Sequence, residues 1–224
     1  MLRYYTFIVV AFGLLVGACT STKTVNQADP VLSAREAYDK GWEARRTQRY
    51  AEAMPLFRRA ADLGHPEAQL QVGALYDNGQ GVERNFEQAM VWYRKAAEQG
   101  NADAERNIGL IYNDGKGIPI DYAQAMQWFR RAADRGLAAA ENNIGLMYMN
   151  GWGVAKDYTL ARQWYERATD KRNGPAQRNI AYLYENGLGV PKDPVEARRW
   201  MERAARDGSQ QAKDWLEKNP GQST

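Results

Sequence analysis

From residue 33 onward, apolar and polar positions recur with the pitch of a helix, and the whole pattern returns every 36 residues. Ala89, Trp92, Tyr93, Ala96 and Ala97 follow the i, i+3, i+4, i+7, i+8 rule of an apolar stripe. Ahead of them, Ala68, Val72, Leu75 and Tyr76 keep helical spacing until Gly79 breaks it. The same positions return as columns: Trp92, Trp128, Trp164 and Trp200; Tyr76, Tyr112, Tyr148 and Tyr184; Ala53, Ala89, Ala125, Ala161 and Ala197; Ala60, Ala96, Ala132, Ala168 and Ala204. Each period therefore reads as two helices and a turn. One such pair cannot bury its stripe alone, so neighbouring units must stack. Small alanines let helices approach closely and the aromatics fill the grooves between them, which makes the tryptophan ladder core rather than a cofactor box.

Start and stop signals agree with this division. Asn85, Asp121, Asp157 and Asp193 form a column ahead of each second helix, as N-caps whose side chains accept from free backbone N–H groups. Asp193-Pro194 adds proline at the first helical position. Ser33-Ala34-Arg35-Glu36 is a capping box opening the first unit. Gly64, Gly100, Gly136 and Gly208 suit left-handed C-terminal caps. Arg172 interrupts that series, and Asn173-Gly174-Pro175 is expected to carry the turn there. Four Gly-x-Gly pairs, Gly79/Gly81, Gly115/Gly117, Gly151/Gly153 and Gly187/Gly189, fall at the repeat period. A glycine loop before a helix can cradle phosphate, but no strand precedes these, and four copies point to backbone geometry with φ > 0.

Composition narrows the chemistry. There are 33 Ala against 18 Val plus Ile, which favours helix over sheet. The 27 acidic and 30 basic residues nearly balance, so no nucleic-acid partner is implied. One cysteine excludes a disulfide framework, and one cysteine with one histidine is too few for a zinc site built by one chain. His65, in a Gly-His-Pro turn, reads as a surface residue at a helix start. No Ser-x-x-Lys motif occurs. No catalytic residue, cofactor or metal is expected.

The first residues read as an address. Arg3 precedes an apolar run of twelve residues, Phe7 to Ala18. A spanning helix needs about 20, so the run fits the hydrophobic region of a signal peptide. Leu15-Val16-Gly17-Ala18-Cys19 resembles a bacterial lipobox. That resemblance implies cleavage before Cys19 and acylation of it, and two or three acyl chains suffice for stable anchoring. Thr20, not Asp, follows Cys19, which by the same resemblance points to the outer membrane. The alternative is a plain secretory signal with an incidental cysteine. Thr20 to Pro30 is a polar tether of eleven residues, spanning at most about 35–40 Å.

The repeat itself resembles the Sel1-like repeat, a relative of the tetratricopeptide repeat. The residues that carry the likeness are clearest in Ala104-Glu-Arg-Asn-Ile-Gly-Leu-Ile-Tyr-Asn-Asp-Gly-Lys-Gly-Ile118, followed by Asp121-Tyr122, Ala125, Trp128-Phe129, Ala132-Ala133 and Gly136. The resemblance implies a right-handed all-α solenoid with a concave face and scaffold or adaptor roles. It divides the chain into a signal peptide (1–18), lipidated Cys19 with its tether (19–32), a tetratricopeptide-like first repeat (33–64), four Sel1-like repeats (65–208) and a capping helix with tail (209–224). Arg172 and Ala181 depart from the pattern, the latter replacing the glycine of the first helix.

In tetratricopeptide-type arrays the first helix of each unit lines the concave groove. Counting from the Gly73 column, the groove positions are Arg106, Asn142 and Arg178; Leu110, Leu146 and Tyr182; Asn113, Met149 and Glu185; and Asp114, Asn150 and Asn186. Apolar residues flanked by Arg and Asn suit an extended peptide or a helix, and Arg106 and Arg178 are placed to grip a carboxylate; the alternative is a solvated face. Asn107, Asn143 and Asn179 form a further column, read as structural. Trp152, between two glycines at a loop tip, either makes an exposed apolar patch with Leu188 or packs onto the neighbouring loop. The expected function is a non-catalytic envelope scaffold: a monomer, lipid-anchored in the bacterial outer membrane, facing the periplasm, and holding an envelope protein or peptide segment in its groove. Alternatives are an enzyme acting on cell wall or β-lactams, and an inhibitor or immunity protein of a toxin.

Overall fold

A computed structural model describes residues 32–220. The apolar run, Cys19 and the polar tether lie outside these residues. Within them the chain forms eleven α-helices. They pair as α1 (Ala34–Arg46) with α2 (Tyr50–Asp62), α3 (Pro66–Asn78) with α4 (Phe86–Glu98), α5 (Ala102–Asp114) with α6 (Tyr122–Asp134), α7 (Ala138–Asn150) with α8 (Tyr158–Thr169), and α9 (Gly174–Asn186) with α10 (Pro194–Arg206). The last helix, α11 (Gln210–Lys218), stands in the place of a sixth first helix and closes the end. Each helix packs chiefly on its chain neighbours, giving the all-helical solenoid that the 36-residue period requires.

The local signals act as their chemistry demands. Asn85, Asp121, Asp157 and Asp193 each accept from backbone N–H groups at the start of α4, α6, α8 and α10. Ser33 and Glu36 complete both arms of the capping box. Hydrogen bonds from the Ser33 backbone, then from its side chain, hold the Glu36 carboxyl below its ordinary pKa. That cap is therefore intact at neutral pH and weakens as pH falls through the lowered value. Arg172 departs from expectation. It takes the left-handed conformation itself, at φ +56°, while Asn173 caps α9 and Gly174 lies inside that helix. The repeat geometry thus fixes the turn at one register even where the residue lacks glycine's freedom. His65 is not a surface bystander either. Its Nδ1 accepts from the Ala68 N–H, and its ring stacks on Tyr38 with centroids 4.4 Å apart.

The core is a row of five clusters. Its most demanding contact places an aromatic ring from each second helix flat on a glycine of the first. A Cβ at Gly73, Gly109 or Gly145 would lie 2.6, 2.5 or 2.4 Å from ring atoms of Tyr93, Phe129 or Tyr165. In the last unit Ala181 replaces the glycine and Met201 replaces the ring, a flexible side chain that accommodates the extra carbon. The second glycine of each Gly-x-Gly pair is also sterically required. At Gly81 a Cβ would meet the Tyr50 carbonyl at 2.5 Å, and at Gly153 the Tyr122 Cβ at 2.6 Å. These loops abut the start of the preceding unit's second helix, which is why the motif recurs.

Of the tryptophan column, Trp92 is buried, whereas Trp128, Trp164 and Trp200 are half-buried. Each carries a cation three residues on over its ring: Lys95 at 4.0 Å, Arg131 and Arg167 at 4.3 Å, and Arg203 at 5.1 Å from the centroid. The ladder is thus the outer wall of the core, closed by basic side chains.

A second column, offset by 30 residues, joins the start of the first helix to the end of the second within each unit. Gln99 Nε2 donates to Gln69 Oε1 at 2.8 Å, and Arg135 Nε to Glu105 Oε2 at 3.1 Å. Lys171 Nζ donates to both Glu141 oxygens at 3.0 and 3.1 Å, and Gln177 Nε2 to Asp207 Oδ2 at 2.7 Å. Arg131 and Arg167 add second cations to Glu105 and Glu141. Glu105 is fully buried and Glu141 nearly so. A carboxylate this deep is tolerable only when paired.

Candidate partner-binding groove

The residue after each close-packed glycine, and after Ala181 in the last unit, forms one line along the first helices. In order these are Trp42, Ala74, Leu110, Leu146 and Tyr182. Trp42 is 40% and Tyr182 47% exposed, at opposite ends of the line. Leu110 and Leu146 are half-buried between them. Trp42 escaped the column count because the first unit is four residues shorter than the others; counting back from Phe57 to the glycine it covers, Gly41, finds it. Beside Trp42 opens a shallow hollow of about 520 Å³ that includes Asp39, Arg45 and Tyr50, with the Arg45 guanidinium 5.0 Å over the indole.

The flanking candidates divide. Arg106 is half-buried, and its Nε lacks a hydrogen-bond partner. Burial lowers its guanidinium pKa, and Asp103 offsets this in part. Arg178 is likewise lowered by burial, and donates to Ser209 Oγ at 2.8 Å beside a hollow lined by Pro175 and Gln211. Asn142 is only 7% exposed and accepts from Asn179 Nδ2 at 2.9 Å, so its side chain serves the stacking of α7 on α9 and is not offered to the groove. Met149 accepts from the Tyr165 hydroxyl at 3.5 Å, and Glu185 is half-buried. Asn150 and Asn186 turn back to carbonyls of their own helices, those of Leu146 and Tyr182. Asp114 accepts from Asn113 Nδ2 at 2.8 Å.

Trp152 and Leu188 do not form an exposed patch; both are half-buried. The Trp152 indole lies parallel to the Tyr122 ring, with centroids 5.9 Å apart, and reaches back to Leu110 and Leu146. A large apolar ring between two glycines lowers its free energy by folding onto its neighbour. Lys116, one period earlier, makes the same backward reach, to Asp77 Oδ1 at 3.5 Å. The middle residues of these two Gly-x-Gly loops therefore reach the groove positions of the preceding unit, a relation that the sequence columns place together but do not orient.

The structure also explains the asparagine column. The Tyr93 hydroxyl donates to Asp77 Oδ2 at 3.3 Å, and Asn107 turns its side-chain amide to that hydroxyl. Burial, and then Asp77, push the Tyr93 pKa up. One period on, Phe129 replaces the tyrosine, and Asn143 Nδ2 and Asn113 Oδ1 are buried without partners. Among the described residues no cluster of His, Cys, Asp and Glu could hold a metal ion, and no helix is long and apolar enough to cross a membrane.

A family model described as the Sel1 repeat matches residues 34–65, 66–101, 102–137, 138–173 and 174–209. A search of curated proteins found no match. Among solved structures, a Sel1 repeat protein from Oxalobacter formigenes is 35% identical with a TM-score of 0.76, over 86% of this chain and 80% of that one. A protective antigen of uropathogenic Escherichia coli with the SLR fold is 33% identical with a TM-score of 0.71; the match covers 83% of this chain and 40% of that protein. An immunity protein from Pseudomonas aeruginosa shares the fold, at 21% identity and a TM-score of 0.63 over 85% of this chain and 72% of that one. With five family matches across nearly all the described residues, the chain belongs to the Sel1 repeat family.

Proposed function

We propose that the chain is a lipid-anchored, non-catalytic adaptor of the bacterial envelope that holds a protein or peptide segment along the face of its first helices. Sel1 repeat arrays bind protein partners and are generally scaffolds without chemistry of their own. The observation that carries the reading is the line Trp42, Ala74, Leu110, Leu146 and Tyr182, apolar in every unit and ending in exposed aromatics. Exposed aromatics at the two ends of an apolar line are anchors of the kind that partner surfaces use. Half-buried Arg106 and Arg178 beside them suit carboxylates of the partner. Attachment through Cys19 to the outer membrane, on the periplasmic side, would hold a monomer near its partner at one surface and raise the effective concentration.

The test is cross-linked capture from envelopes with the full chain, with Tyr182→Glu and Leu110→Glu, and with Cys19→Ser. The expected result is one partner held by the parent chain, at least tenfold less of it by either glutamate variant, and release of Cys19→Ser into the soluble fraction. Equal capture by parent and glutamate variants would remove the groove from the reading. A membrane-bound Cys19→Ser would remove the lipid anchor.

A further inference from the structure

Between α5, α6 and α7 lies a half-enclosed pocket of about 50 Å³, lined by Leu110, Asn113, Phe129, Asn143, Leu146 and Trp152. Asn143 is 8% exposed, and its Nδ2 is a buried donor without an acceptor; Asn113 Oδ1 is a buried acceptor without a donor. Such groups are costly to leave unpaired. The preceding unit shows what is missing. There the residues one period earlier, Asp77 and Asn107, both address the hydroxyl of Tyr93. In the following unit the corresponding groups are also engaged, Met149 by the Tyr165 hydroxyl and Asn179 by Asn142. Phe129 alone of these three rings brings no hydroxyl, and the pocket is where that hydroxyl would be.

From this we infer that the pocket is a subsite for the side chain of a threonine in a bound polypeptide. One hydroxyl both donates and accepts, so it satisfies Asn113 Oδ1 and Asn143 Nδ2 together. The walls are apolar: Leu110, Leu146 and the Trp152 indole. They suit the methyl that threonine carries beside its hydroxyl. The size agrees. A cavity of about 150 Å³ takes benzene, so one of about 50 Å³ takes two or three heavy atoms and no aromatic ring. Trp152, held by its stack on Tyr122, closes one side of the pocket. The inference rests on the groove reading, since the ligand must lie along the first-helix face.

The test titrates N-acetyl-threonine N-methylamide and N-acetyl-valine N-methylamide into the purified full chain, with NMR of the Asn143 side-chain amide and the Trp152 indole N–H. Valine has threonine's shape without its hydroxyl, and sites that would be left with unpaired polar groups reject such analogues. Threonine is expected to shift both resonances at about tenfold lower concentration than valine. Phe129→Tyr supplies the hydroxyl from within. It is expected to raise the melting temperature by about 2–6 °C and to abolish the threonine response. Equal responses to the two probes, or no response to either because the pocket holds only an ordered water, would overturn the assignment. If Phe129→Tyr does not fold, Asn143→Leu, which fills the pocket without pairing the probe, takes its place, and a retained threonine response would again overturn it. If a captured partner survives Phe129→Tyr but not Tyr182→Glu, the subsite fails while the groove stands; if it survives both, the groove fails.

Discussion

Replacing Arg131 and Arg135 together by methionine is expected to lower the melting temperature by on the order of 10 °C. Each arginine is about half exposed, at 50% and 47% for the side chains, so neither alone would count for much as a surface cation. What they neutralise decides the outcome. Glu105 is fully buried, and the arginines reach its two oxygens at 3.1 Å each. Removing both strands a carboxylate, a change that costs about 3–5 kcal/mol when the charge stays dry. Some water follows the shorter side chains, so the lower end of that range applies. The decisive control adds Glu105→Gln to the double variant. Glutamine already stands at the equivalent positions Gln69 and Gln177, and it removes the stranded charge at nearly constant volume. It should recover more than half the loss. A circular-dichroism melt in which the triple variant is no more stable than the double would show that the arginines act by packing, not charge.

The second large effect is Gly145→Ala. In most helices this change stabilises, because glycine is about 1 kcal/mol less favourable than alanine in a helix interior. Here the new Cβ would sit 2.4 Å from Tyr165 Cε1, and the ring is fully buried with nowhere to retreat. Overpacking of this kind costs about 1–3 kcal/mol, so the sign reverses, and a fall of about 2–10 °C in melting temperature is expected. The last unit supplies the rescue, since it pairs Ala181 with Met201. Tyr165→Met alone should be destabilising. Combined with Gly145→Ala it should be less so than the sum of the two, by about 1 kcal/mol or more. Strict additivity in urea denaturation would mean that glycine and ring do not conflict as their separation implies.

These examples divide what the sequence shows from what it hides. Period, helix pairs, caps and hinges were legible because each is a local signal repeated in register: Asp121 four residues before Ala125, Gly115 two before Gly117. The outward position of Leu110, Leu146 and Tyr182 was legible from the helical angle to the glycine column. Relations between helices were not. The pairing of Glu105 with Arg135 spans 30 residues, and nothing in either residue names the other. Asn142 was read as facing a ligand, yet it is turned to Asn179 in the next unit, because a position at the seam between helices serves packing or groove according to a neighbour not visible along the chain. The Phe129 pocket was visible in principle as one departure, Phe where Tyr93 and Tyr165 stand. Its meaning required knowing that Asn113 and Asn143 meet at that ring.

The 30-residue pairs of α3 to α10 also match each first helix to its own second helix. A chain of near-identical modules risks closing the first helix of one unit on the second helix of another, within itself or with another copy. Here the four seams differ: amide with amide at Gln69 and Gln99, acid with base at Glu105 and Arg135 and at Glu141 and Lys171, amide with acid at Gln177 and Asp207. If α7 met the far end of α10 in place of α8, Glu141 would face Asp207, and two carboxylates would share a buried seam. If α3 met α6, Arg135 would find only the neutral Gln69. Each misplacement loses a charge partner or creates a like-charge contact, while the native order satisfies all four. The seams thus act as a proofreading code for a fold whose alanine and aromatic columns are nearly blind to position.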